Sequence, residues 1–250
     1  MAISLKLPSL GDLPPVTRAM TVLFFAGWLA ELAFGYRLND LFGLVPAALI
    51  YRFWLWQAAT YIFIHANFWH FFFNAFMMWM LGCMLEPEMG SRKFLLYFLV
   101  CGIAAALFTA AWTPNSPIPV VGASGAVYGL LGAFAFLHPE TRVYLYFVFP
   151  MSARTLAFLL GALEFVMTLS RTGSTISSAT HLGGLAAGLL WLWAERRFKG
   201  RPARETDTAA MEMGELDHLL EKISRKGQSA LSRSEIARLD EYARKRGGRA

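Results

Sequence analysis

From about residue 18 to residue 197 this chain passes through one long apolar run after another, and its charges gather beyond them. A bilayer core is about 30 Å thick, so a helix that crosses it needs about 20 apolar residues. Backbone polar groups inside hydrocarbon must bond within the protein, which leaves helices or closed barrels as spanning structures. With 56% hydrophobic and 16% charged residues the chain is too apolar for a soluble domain, where charge is nearer a quarter. The reading is an all-α membrane domain followed by a soluble tail. The net charge of +6 is then no sign of nucleic acid: of 23 Lys and Arg, 14 fall between Arg196 and Arg249, where they set topology. Cys83 and Cys101 lie in apolar segments and read as packing residues, not as disulfide or zinc partners. Neither a metal nor a cofactor is expected. Residues 1–17 are broken by prolines and lack the apolar core of a cleavable signal peptide.

Taken in order, 1–17 form a cytoplasmic lead-in, 18–198 a six-helix membrane domain and 199–250 a basic cytoplasmic tail. Spans are expected at about 18–34, 64–85, 92–112, 124–138, 153–169 and 178–193. The connection at 35–62 carries Tyr36, Phe42, Tyr51, Phe53, Trp54 and Trp56 with Arg37 and Arg52. That is interfacial composition, and it predicts a loop embedded in the membrane between helices 1 and 2. Ser91 is placed to N-cap the third span. Segment 143–149 reads either as a strand or as part of the next span. In the tail, Leu216, Leu219, Leu220 and Ile223 recur at helical spacing, Gly227 breaks the pattern, and Ser232 or Ser234 can cap a second helix. A helical hairpin at about 213–246 is too small for much of a core by itself, so a protein partner, a second copy or the membrane surface is expected to cover it. Lys6, Arg18, Arg92, Lys93, Arg142, Arg154 and the tail fall on one side of a six-span arrangement, against Arg37, Arg52 and Arg171 on the other. Both termini are therefore expected in the cytoplasm.

At the centre is the stretch 120–138, where Ser124 stands between Gly122-Ala123 and Gly125 at the start of an apolar helix that Pro139 ends. Counting back from Pro139, Ser124 is about 15 residues up. His181 is about 15 from Arg196, and His70 and Asn74 are about 16 and 12 from Glu86, which puts all four roughly 18–24 Å above one membrane face. Polar groups at that depth are costly and are candidates for function. Gly125 and Gly129, set against Gly184 and Gly188, let two helices approach closely enough for Ser124 and His181 to bond. Tyr128, one turn from Ser124, can pack on the imidazole. A serine becomes a nucleophile when a positioned base takes its proton, and neutral His181 can do so. The Ser124 amide, His70 and Asn74 can then supply donors to an oxyanion. No carboxylate is placed to orient His181, so the expectation is a dyad. Glu164, near mid-membrane, is read as bonded to a neighbouring helix or lining a water path, and His65 as bonding the aromatic loop.

These residues resemble the rhomboid family of intramembrane serine proteases over about residues 56–197. The resemblance is carried by Trp56-Gln57 and Thr60, His65, His70-Phe-Phe-Phe-Asn74, Glu86 with Gly90-Ser91, Gly122-Ala-Ser124-Gly125 with Tyr128, and His181-Leu-Gly-Gly184 with Gly188. It implies a six-helix core, a Ser124–His181 dyad in a water-filled cavity, an oxyanion hole from His70, Asn74 and the Ser124 amide, and cleavage of transmembrane proteins in or near their spans. Some members have Trp-Arg where this chain has Trp56-Gln57. The fifth span resembles the element that moves aside for substrate, and 217–245 resembles a helical appendage of some bacterial members. Length and tail charge favour a bacterial inner membrane. A client-binding relative without catalysis is the alternative, though such relatives typically lack the serine or histidine kept here. A transporter or channel is the third reading, resting on the polar layer and Glu164, but the repeats such proteins are built from are not evident.

Overall fold

The structure, a computed structural model, describes residues 10–145, 149–170, 175–199, 217–225, 227, 230–232, 234–236 and 238–239. By internal contacts the chain divides into Met1–Ala194 and Glu195–Ala250. The helices are α1 Pro15–Phe34, α2 Tyr36–Phe42, α3 Pro46–Tyr51, α4 Gln57–Thr60, α5 Phe68–Met89, α6 Ser91–Trp112, α7 Ser124–Leu137, α8 Ala153–Leu169 and α9 Thr175–Lys199. Among the described residues α1, α5 and α6 are long and apolar enough to cross a membrane, and α7 is a shorter apolar helix.

Helix α7 is the hub. Its residues from Gly125 to Ala135 are buried apart from Tyr128, and it packs on α5, α6 and α8. A helix apolar all round has no solvent face to offer, and burial on every side is the outcome. Its small residues set the spacing: a Cβ on Gly129 would lie 2.6 Å from the Cys101 side chain of α6, and one on Gly125 would lie 2.8 Å from the Ala105 Cβ. Tyr97 of α6 donates to the Gly129 carbonyl at 2.8 Å. The outer faces of α5 and α8 carry exposed Trp69, Phe73, Phe158 and Phe165. Apolar groups turned outward in this number suit lipid, not water.

The connection after α1 is three short helices and a 3₁₀ turn at Tyr61–Phe63, folded together by side chains. The Gln57 Oε1 accepts from the Val45 amide at 3.0 Å and its Nε2 donates to the Asp40 carbonyl at 3.1 Å. Trp56 Nε1 donates to the Leu41 carbonyl at 2.9 Å and Thr60 Oγ1 to the Phe42 carbonyl at 2.7 Å. Carbonyls at the end of α2 have no intrahelical partner, and these donors satisfy them.

Several expectations change. The chain is not all helical: β1 Arg142–Leu145 and β2 Phe149–Ser152 form an antiparallel pair with Val143 opposite Met151. Pro150, which has no N–H and biases its predecessor to extended backbone, keeps α8 from starting earlier. Ser152 then caps α8, accepting from the Thr155 amide at 3.2 Å. Helix α5 starts at Phe68, four residues later than expected, because Asn67 caps it, accepting from the His70 amide at 2.9 Å. His65 thus lies outside that helix. It is fully buried against Phe24, Phe71 and the edge of His70, with centroids 5.3, 6.0 and 5.4 Å away. Ser91 does not cap α6. It donates instead to Glu86 at 2.7 Å.

Glu86 is a clasp. Its carboxylate also accepts from the Val16 amide at 2.9 Å, and from the Thr17 amide and hydroxyl at 2.7 Å each. It joins the start of α1, the end of α5 and the start of α6. Unpaired N–H groups at the head of a helix favour an anion there. Glu86→Ala would strand those donors in a buried site, at a cost of about 3 kcal/mol. Thermal denaturation in detergent is expected to show a melting temperature lower by about 6–12 °C.

In the second unit residues 217–225 are helical, as are 234–236 and 238–239, with Gly227 between them at φ 77°. The rest of the expected hairpin lies outside the described residues. Ser232 and Glu235 form a capping box: the Glu235 amide donates to Ser232 Oγ at 3.3 Å and the Ser232 amide to the Glu235 carboxylate at 2.7 Å. Lys222 donates to the same carboxylate at 2.7 and 2.9 Å. Lys222 and then Ser232 pull the Glu235 carboxyl down to about 2. A depressed carboxyl stabilises above its unfolded value, about 4.3, and that contribution drains away as pH falls toward the folded value. NMR of the Glu235 side chain in the full chain is expected to show it still ionised at pH 4.

Candidate active site

The turn that carries Ser124 is held from the α1–α5 connection. Leu44 and Val120 exchange backbone hydrogen bonds at 2.8 Å, and the Gly122 amide donates to the Tyr61 carbonyl at 2.9 Å. Tyr61 is fully buried and donates its hydroxyl to the Gly102 carbonyl at 2.8 Å, which anchors the turn to α6. Gly122 sits at φ 115°, and a Cβ there would lie 2.5 Å from Cε1 and Nε2 of His70. Only glycine meets both demands. Ser124 follows as the first residue of α7, so its amide points out of the helix without an intrahelical acceptor.

Helix α9 lies against α7 with backbone in contact. A Cβ on Gly184 would collide with the Gly125 carbonyl oxygen, and one on Gly188 would lie 3.0 Å from the Gly129 carbonyl oxygen. This approach puts His181 Nε2 2.7 Å from Ser124 Oγ. The Tyr128 ring stacks on the imidazole, with centroids 4.4 Å apart and planes 7° from parallel. Thr109 of α6 and Thr180 of α9 meet at 2.8 Å, one residue before His181.

The other face of the imidazole's edge is occupied too. His181 Nδ1 lies 2.8 Å from Glu164 Oε1 on α8, and the Tyr128 hydroxyl donates to the same oxygen at 2.7 Å. The His181 and Glu164 side chains are only 20% and 12% exposed. The expectation of a histidine without a carboxylate partner is therefore corrected. A signal for Glu164 was present: about 11 residues into a helix beginning at Ala153, it sits about 16 Å up, within a turn of the other polar groups.

His70, Asn74, Ser124, Tyr128 and His181 line one cavity of about 260 Å³, with Phe73 and Met77 of α5 on one side and Leu160 of α8 on the other. Asn74 spends one amide hydrogen on the His70 carbonyl at 2.8 Å, in its own helix, and keeps the second. A hydroxyl bonded to an imidazole, beside amide and imidazole donors in an apolar cleft, is the equipment of acyl transfer.

Residues 52–198 match the rhomboid domain family, and residues 208–245 match a family of unknown function, DUF6576. The chain is 33% identical over 137 residues to Rhomboid protein 1, mitochondrial, of Saccharomyces cerevisiae, covering 52% of this chain and 39% of that one. It is 32% identical over 152 residues to the Rhomboid protease GluP of Bacillus subtilis, covering 59% and 27%. It is 28% identical over 145 residues to the Rhomboid protease GlpG of Haemophilus influenzae, covering 58% and 72%. The match thus spans well under half of the yeast and Bacillus relatives.

Proposed function

The chain belongs to the rhomboid family, and from that premise we propose that it is an intramembrane serine endopeptidase that cleaves transmembrane proteins in or near their spans. The observation that carries the proposal is the 2.7 Å pairing of Ser124 Oγ with His181 Nε2 at the wall of the cavity.

In this reading His181 Nε2 takes the Ser124 proton as Oγ bonds to the scissile carbonyl carbon. The oxyanion that forms is met by the Ser124 amide, the free Asn74 amide hydrogen and His70. His181 returns its proton to the leaving amine as the C–N bond breaks. Water, deprotonated by the same nitrogen, then hydrolyses the acyl-enzyme. Gly122 and Gly125 admit the turn and the α7–α9 contact, Tyr128 holds the imidazole plane, and Gly184 and Gly188 complete the helix contact. The residues call for no metal or cofactor. A substrate segment would enter between α5 and α8, where Phe73, Met77 and Leu160 frame the cavity.

The wider picture is a six-span bundle with helices α2–α4 embedded at the membrane interface and both termini cytoplasmic, in a bacterial inner membrane, with the tail free to meet a protein partner or a second copy. The test is labelling of purified protein by a fluorophosphonate probe. Wild type is expected to label, and His181→Ala and Ser124→Ala are not. Labelling that persists in Ser124→Ala would sink the proposal.

A further inference from the structure

The protease reading uses two side chains for proton transfer. A third contact on the same imidazole is left over. His181 has two ring nitrogens, and Nε2 can accept the Ser124 proton only when the ring proton sits on Nδ1. Whatever Nδ1 faces decides that tautomer. Here it faces the Glu164 Oε1 at 2.8 Å.

We infer that the Glu164 carboxylate is the positioning residue for His181, completing a Ser124–His181–Glu164 relay built from α7, α9 and α8. This rests on the protease reading above. The hydrogen-bond directions agree along the whole chain of groups. The Tyr128 hydroxyl donates to Oε1 at 2.7 Å, and with an acceptor there the tautomer that pairs every group has Nδ1–H donating to Oε1, 2.8 Å away, and Nε2 accepting from the Ser124 hydroxyl, 2.7 Å away. Oε1 thus serves as an acceptor, and an ionised carboxylate, which can only accept, is the form that places the ring proton on Nδ1. Thr168, one turn further along α8, donates to the Glu164 carbonyl at 2.7 Å and not to its side chain.

The two restraints on the ring are complementary. Stacking on Tyr128 fixes the imidazole plane. It leaves rotation within that plane free, and the Glu164 bond removes it. Tyr128 serves both, since its ring carries the stack and its hydroxyl holds the carboxylate. During the reaction the serine proton moves to Nε2 and the Nδ1 proton stays where it is. Glu164 takes no proton. It faces the imidazolium that forms, and with the two side chains 20% and 12% exposed such a pairing is stronger than in bulk solvent. An amide in its place could offer Nδ1 a donor and hold the ring in the wrong tautomer.

The experiment compares full-length wild type, Glu164→Gln, Glu164→Asp and Ser124→Ala in lipid or mild detergent. It measures kcat and KM on a single-span model substrate, the rate of fluorophosphonate labelling, and thermal melting. Glu164→Gln is expected to lower kcat and the labelling rate by about 100-fold or more, with KM little changed and melting close to wild type. Glu164→Asp keeps the carboxylate and is expected to recover a large part of that loss. Wild-type kcat and labelling in Glu164→Gln would overturn the relay while leaving the protease reading intact. An Asp variant as impaired as Gln, with both melting well below wild type, would also overturn it, since that is what a purely structural carboxylate does. Cleavage that survives in Ser124→Ala would remove both readings together.

Discussion

Ser124→Ala is expected to cut cleavage of a single-span substrate by about 10⁵–10⁶-fold, close to the limit of detection. The size follows from how the site is coupled. His181 has nothing to deprotonate without the hydroxyl, and Glu164 then orients a base that does no work. What remains is the Ser124 amide, Asn74 and His70 around the carbonyl, and such donors alone leave about 10³-fold over water. Folding should be nearly untouched. The hydroxyl's bond in the structure is to His181, and alanine suits a first helical turn. Melting within about 2 °C of wild type, with cleavage gone, is the expected pair of results. Cleavage by purified Ser124→Ala at even a hundredth of the wild-type rate would mean that the nucleophile lies elsewhere.

The layer of polar groups was legible because a helix converts residue counts into height. Ser124, His181, His70 and Asn74 could be levelled against Pro139, Arg196 and Glu86 without any contact being known. Height says nothing of which way a side chain faces. Glu164 lay within a turn of the same layer, yet only packing turns it toward His181, across 17 residues of chain. The Glu86 clasp is further out of reach: its partners Val16 and Thr17 are separated from it by 70 and 69 residues. The late start of α5 was readable in principle from Asn67, an N-cap residue three before His70. The β1–β2 pair was half readable, since an apolar segment ahead of Pro150 fits a strand as well as a span. The spacing of Gly125 and Gly129 against Gly184 and Gly188 was legible for a simpler reason. Small residues four apart leave one helix face bare, and bare faces in a membrane domain meet each other.

That bare contact carries the second large effect. A side chain at Gly184 meets the carbonyl oxygen, carbon and Cα of Gly125. All of these are backbone, so nothing can swing aside, and α9 must move away from α7. Ser124 is the neighbour of Gly125, and His181 is one turn before Gly184, so the separation opens the Ser124–His181 bond directly. A displacement of 1 Å costs about 100-fold in rate. Gly184→Val is expected to lower kcat/KM by about 1,000-fold or more, with Gly184→Ala between it and wild type. Overpacking should also cost about 3 kcal/mol, a fall in melting of about 6–12 °C. Gly132→Ala is the matched control. It lies on α7 and faces the same partner helix, α9, but its Cβ would meet the tip of Leu185 at 3.0 Å, a side chain able to turn. Its activity is expected within about fivefold of wild type, as for a substitution that a neighbour can accommodate. If Gly184→Val and Gly132→Ala prove equally mild, the α7–α9 backbone contact does not set the distance between Ser124 and His181, and the alignment must come from α6, through Thr109 and Thr180.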